Sequence, residues 1–132
     1  MMMQRRAHPA IASQHYRTLE LKSRVESSDA HALVGLLYEE LIRALDLIVV
    51  RGKQGGDLAG NGAITKAQSI LVALEGSLDF DKGGDLAVTL ARVYRSARAE
   101  LSVSTKAGDM EKLKEIRTAI SDIAYAWQTL AG

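Results

Sequence analysis

Four long stretches in which apolar residues recur every three or four positions, with glycine-containing breaks between them, most limit how this chain can fold. The first runs from about Asp29 to Arg51, with Ser28 or Asp29 placed to cap it and Gly52 to stop it. The second, about Asn61 to Leu78, carries Ile64, Ala67, Leu71, Leu74 and Leu78. The third, about Asp85 to Thr105, carries Leu86, Leu90, Val93, Ala97 and Leu101, with Tyr94 beside the stripe. The fourth is capped by Asp109, extends through Leu130 and aligns Leu113, Ile116, Ile120, Ile123, Trp127 and Leu130. These spacings give each segment one apolar helical face, and no strand alternation competes with them. A helix of about 20 residues is about 30 Å long, so the four match in length. Short links between matched amphipathic helices favour antiparallel neighbours. The expectation is an all-α fold, an antiparallel up-and-down four-helix bundle over residues 29–132. An amino-terminal arm or short extra helix over residues 1–28 precedes it. The expected core includes Leu37, Leu41, Leu71, Leu90, Leu101, Ile116 and Ile120.

Composition narrows the functions open to such a bundle. The 132 residues suit one domain. Lys plus Arg is 17 against 16 for Asp plus Glu, a formal net charge of +1. That lacks the basic excess of a dedicated nucleic-acid binder, so no nucleic-acid partner is expected. With no cysteine, neither a disulfide framework nor a thiolate metal site can form. The longest apolar runs, Ala32–Tyr38 and Leu47–Val50, fall far short of the roughly 18 residues of a membrane span, so no membrane insertion is expected. Met1–Tyr16 contains Arg5 and Arg6 but no apolar signal-peptide region. The expected location is cytoplasmic.

No arrangement of residues points to catalysis. A metal site in a bundle wants Glu-x-x-His pairs on facing helices, yet none of His8, His15 and His31 lies three residues after a Glu. Glu39 and Glu40 are adjacent and point about 100° apart on a helix. The glycine-rich break at 52–62 lacks the Gly-x-x-x-x-Gly-Lys-[Ser/Thr] pattern and no strand precedes it. Arg92, Arg95 and Arg98 drift around their helix beside Glu100 and read as a charged surface. No catalytic residue, cofactor site or metal ligand is expected, and the chain does not read as an enzyme.

The first helix holds more apolar surface than a bundle core needs. Leu33, Leu37, Leu41, Leu45 and Ile48 define its core side, and Val34, Tyr38, Ile42 and Val49 widen it. Leu36, Leu47 and Val50 fall beyond the other edge, towards solvent. An ordinary core-facing helix shows an apolar arc somewhat over 100° wide; this one covers roughly twice that. Two explanations stand side by side: a central helix touching three neighbours and the arm, or a second face kept for a partner through Leu36, Leu47 and Val50.

The second half of the chain carries a recognisable series. Leu78-Asp79-Phe80-Asp81-Lys82-Gly83-Gly84-Asp85-Leu86-Ala87, followed by Leu90, Tyr94 and Leu101, resembles the central signature of the FliS-type flagellar secretion chaperones. Ile64-Thr65-Lys66-Ala67-Gln68-Ser69-Ile70-Leu71 is similar to that family's second-helix motif, and Ala30–Glu39 to its first-helix entry. Ala124-Tyr125-Ala126-Trp127 matches its Ala-x-Ala-Trp ending, so the resemblance covers about residues 16–130.

The resemblance implies a small cytoplasmic bundle without enzymatic activity. It implies binding of the disordered carboxy-terminal segment of newly made flagellin, which becomes helical as it wraps the bundle. Premature polymerisation is thereby prevented and flagellin is delivered to the flagellar export gate. It also implies an arm lying over the flagellin groove: Tyr16 matches the arm's tyrosine, while its apolar position falls on Ser13 with Ile11 nearby. The chain departs from the family again at Ala30, where a proline is usual. The reading from a different class is a generic helical-bundle adaptor, or a dimerisation module that self-associates through the same stripe.

Overall fold

The structure is a computed structural model that describes residues 30–55 and 62–130. These form α1 (Ala30–Lys53), α2 (Gly62–Gly76), α3 (Phe80–Ala107) and α4 (Met110–Thr129), with no strand among the described residues. α1 packs on α2, α2 on α3, α3 on α4, and α4 back on α1. With α2 and α3 separated by three residues and α3 and α4 by two, consecutive helices run antiparallel and close a ring. The all-α up-and-down four-helix bundle is thus the observed architecture. The expected arm over residues 1–28, the caps Ser28 and Asp29, and the link over 56–61 lie outside the described residues.

The helix ends refine the expected boundaries. α1 runs through Gly52 instead of stopping there, because the left-handed residue is Gly55 (φ +77°), whose N–H donates to the Gly52 carbonyl at 3.0 Å. α2 ends at Gly76, where the Ser77 hydroxyl donates to the Leu74 carbonyl at 2.7 Å. α3 begins five residues before the expected Asp85. Asp79 caps it, its Oδ1 accepting the Lys82 N–H at 3.0 Å, and the helix then kinks at Gly84 (φ +50°, ψ −127°). That conformation is closed to L side chains. A Cβ on Gly83 would sit 3.0 Å from the Ala87 Cβ, tighter than ordinary packing. The glycine pair therefore has two separate physical reasons. Gly108 (φ +67°) closes α3, and Asp109 caps α4 as expected by accepting the Lys112 N–H at 3.0 Å.

Tyr38, Leu41, Leu45 and Ile48 of α1 meet Ala67, Leu71 and Leu74 of α2, Tyr94 and Leu101 of α3, and Leu113, Ile116 and Ile120 of α4 in one core. Leu37 and Leu90, expected inside, are only partly buried at its edge. The hydroxyls of Tyr38 and Tyr94 hydrogen-bond to each other in the interior, which satisfies two groups that would be costly to bury alone. Burial pushes both phenols above their ordinary range; the bond between them adds to the rise at Tyr38 and works against it at Tyr94. At one end of the bundle the Trp127 indole N–H donates to the His31 carbonyl at 2.9 Å, and the two rings stack with centroids 4.5 Å apart.

The third helix corrects the expected stripe. Its buried row is Ala87, Ala91, Tyr94, Ala97, Leu101 and Ser104, turned by about one residue from the Leu86–Leu90–Val93 row. Beside Tyr94 and Leu101, small side chains take the inner positions, while Leu86, Leu90 and Val93 flank the core or stand outside it.

Candidate partner-binding site

The residues named from sequence separate in the structure. Ile11 and Tyr16 lie outside the described residues. Leu36 is 5% exposed and so does not face solvent. It heads an i, i+4, i+8 row with Glu40 and Ala44, all buried, and this row continues the flank where the Glu40 carboxylate meets the Lys66 ammonium of α2 at 2.8 Å. Leu47 and Val50 are 46% and 48% exposed. Leu47 stands seven residues beyond Glu40, on that same α2-side flank. α1 lies closely along α2 and α4, and its Tyr38 and Val34 also reach α3, so its wide apolar arc serves three neighbours, with Leu47 and Val50 left over.

A larger apolar surface lies on the opposite side of the ring, between α3 and α4. Leu86, Leu90, Val93 and Ala97 follow at spacings of four, three and four along α3, and two successive hollows open along them. One, of about 400 Å³, has Val93 and Ala97 facing Ile116, Ala119 and Ile120. The other, of about 270 Å³, has Leu86 and Leu90 beside Val34, Leu78, Tyr94 and Trp127 at the end of the bundle. The groove exists because α3 buries alanines: with small residues inward, Leu86 stands 59% exposed. Its charged rim is balanced, with Arg92 and Lys112 against Glu100 and Glu115, and Lys112 meets Glu100 across it at 3.6 Å.

Such a surface suits an apolar helical segment and offers no chemistry of bond making. No cluster of His, Asp or Glu among the described residues could hold a metal ion, and no described helix is long and apolar enough to cross a membrane. The groove was hard to see in the sequence because Leu86, Leu90 and Val93 obey the helical period and read as core. The usable signal was the parallel row Ala87, Ala91, Ala97, which marks the side where α3 packs closely.

Comparison with known proteins agrees with this geometry. Residues 12–132 match the family described as Flagellar protein FliS. The flagellar secretion chaperone FliS of Salmonella typhimurium is 28% identical over 117 residues, covering 88% of this chain and 87% of that one. The flagellar secretion chaperone FliS of Vibrio cholerae is 25% identical over 121 residues, covering 89% and 86%. The flagellar secretion chaperone FliSB of Pseudomonas aeruginosa is 25% identical over 122 residues, covering 91% and 95%. The Lys-Gly-Gly-acid turn, the exposed apolar groove and the match across nearly the whole bundle converge: this chain belongs to the FliS family of flagellar proteins, a family of export chaperones and not of enzymes.

Proposed function

We propose that this protein is a cytoplasmic export chaperone that binds the disordered carboxy-terminal segment of flagellin, prevents its premature polymerisation and delivers it to the export gate. The observation that carries the reading is the apolar groove between α3 and α4, left open by the alanine row of α3. An amphipathic segment laid in it covers Leu86, Leu90 and Val93 by the helix-in-groove mode. Continuing around the bundle, the same segment reaches Leu47 and Val50 on the opposite flank. In this reading residues 1–28 form an arm whose Ile11 and Tyr16 cover part of that surface until flagellin arrives. Deletion of residues 1–18 is then expected to change flagellin affinity while leaving the bundle folded.

Ordering a disordered segment costs a few kcal/mol and is offset by apolar burial, so binding is expected to show a clearly negative heat-capacity change. The balanced rim predicts a shallow dependence on salt, because few exposed charges are there to be screened. Isothermal titration against a flagellin carboxy-terminal peptide, at two salt concentrations and several temperatures, tests both. Affinity that collapses as salt rises contradicts an apolar interface. Absence of heat at every temperature, with both components intact, returns the protein to the adaptor or self-associating class.

A further inference from the structure

Towards the link between α3 and α4, a bridge of charge crosses their groove. The Lys112 ammonium of α4 lies 3.6 Å from the Glu100 carboxylate of α3, and both side chains line the hollow that holds Val93, Ala97 and Ile116. Glu100 follows Ala97 along α3, and Lys112 precedes Ile116 along the antiparallel α4. The bridge therefore stands at the end of the groove away from Trp127. A helix with its side chains is about 10 Å across and cannot pass beneath a contact this short. Both partners are partly exposed, and exposed ion pairs are weak, so the bridge yields to an occupant and does not bar it. Lys112 also lies 3.5 Å from Glu115 on its own helix. Its ammonium thus keeps a partner after parting from Glu100, whose freed carboxylate is left to water.

We propose that the Lys112–Glu100 pair is a strap over one end of the groove, which an incoming apolar segment parts in order to occupy the hollow beneath. The proposal rests on the reading of the groove as the flagellin site and adds two residues that set its affinity without being its main contact. Closed, the strap leaves free the floor from Leu86 towards Ala97, about 16 Å or three turns of helix. Open, it adds the hollow at Ala97 and Ile116. A lysine stem lies readily along apolar surface while its charge stays in water, so swinging the ammonium towards Glu115 clears the groove and strands no charge. Parting the pair opposes binding, and whatever weakens the pair in the free protein strengthens binding. Salt therefore acts here in the direction opposite to its action on an electrostatic interface: by screening the strap it favours the occupied groove.

The test titrates a flagellin carboxy-terminal peptide into the full chain and into Lys112→Met, Glu100→Gln, the double variant and Leu86→Glu, by calorimetry. Lys112→Met keeps an apolar stem and removes the charge. It and Glu100→Gln are each expected to raise affinity about two- to fivefold, the reach of an exposed pair. The double variant is expected to gain no more than either, because all three remove one shared interaction. Between about 0.1 and 1 M sodium chloride the screening length falls from about 10 to about 3 Å, and the parent is expected to gain more affinity than Lys112→Met over that range. Lower affinity in Lys112→Met with higher affinity in Glu100→Gln assigns the ammonium to a carboxylate of the peptide and overturns the strap. Gains that add in the double variant overturn it as well. So does a lowered melting temperature with affinity unchanged, which makes the pair a brace between helices only. Leu86→Glu separates the two readings. If it leaves affinity unchanged, the groove is not the flagellin site and the strap falls with it. If it lowers affinity while both strap variants bind as the parent does, the groove stands and the strap alone is overturned.

Discussion

α1 and α3 use apolar residues in opposite ways. α1 buries large side chains (Leu36, Tyr38, Leu41, Leu45 and Ile48) and leaves only Leu47 and Val50 as large apolar groups in solvent. α3 buries chiefly small ones, Ala87, Ala91, Ala97 and Ser104 with Tyr94 and Leu101, and exposes Phe80, Leu86, Val88 and Val103. The helix with the conspicuous apolar surplus is therefore mostly core, and the helix of more modest appearance presents more large apolar side chains to solvent. A count of apolar residues measures what a helix can bury; the size of its inward residues decides what it leaves outside.

The largest expected effect follows from that contrast. Leu41→Ala, at a position with no exposure, should cost about 2–5 kcal/mol, the range for a buried leucine truncation. Leu86→Ala should change stability by no more than about 0.5 kcal/mol, as exposed substitutions do. Denaturant titration of the two variants checks this, and similar losses at both would break the distinction between core helix and surface helix.

Next in size is the device that sets the start of α3. Gly84→Ala forces a side chain into φ +50° and should cost about 1–3 kcal/mol, the usual range for strained backbone. Since Leu86 lies two residues on, the same variant should weaken flagellin binding. A melting temperature equal to that of the parent would show that the kink can be absorbed elsewhere.

Leu86→Glu should keep the fold and lower affinity for the flagellin peptide at least tenfold, equivalent to about 1.4 kcal/mol. The Leu47→Glu/Val50→Glu pair should have the smaller effect. Calorimetry on the two sharpens the comparison directly, because the reverse order would move the main contact to α1.

The smallest effect concerns the point where the two helices meet. Burial first, and for Tyr38 also the bond to Tyr94, raises these phenols above their ordinary value near 10. The neutral forms are favoured in the folded state, so their contribution is full below about pH 10 and is lost as pH climbs above it. Tyr38→Phe/Tyr94→Phe removes both polar groups together and should cost no more than about 1 kcal/mol at pH 7, because paired removal leaves nothing unsatisfied. It should also flatten the alkaline decline of the melting temperature, measured from pH 9 to 11. A decline as steep as the parent's would place its origin in other groups.

The helices were legible in the sequence because a period near 3.6 is imposed by the core itself, and Asp109 could be read as a cap because its side chain acts locally. Leu47 and Val50 were legible as exposed for the same reason. Leu36 was not, since its burial depends on the flank it shares with Glu40 and Ala44 rather than on its angle from the core. The rotation of α3 was hidden because Leu86–Leu90–Val93 and Ala87–Ala91–Tyr94 have the same period, and size alone suggested the wrong row. The Gly84 kink was read as a turn before the helix, which is correct for Asp85 onward and omits the capped turn at Phe80.

The central claim is that flagellin seats in the α3–α4 groove, and Trp127, the chain's one tryptophan, lines its end. Titrating a tryptophan-free flagellin carboxy-terminal peptide into the protein while following indole emission tests it most directly. The account predicts a saturable shift to shorter wavelength that Leu86→Glu abolishes and Leu47→Glu/Val50→Glu preserves. Binding detected by calorimetry with the emission unmoved would contradict it.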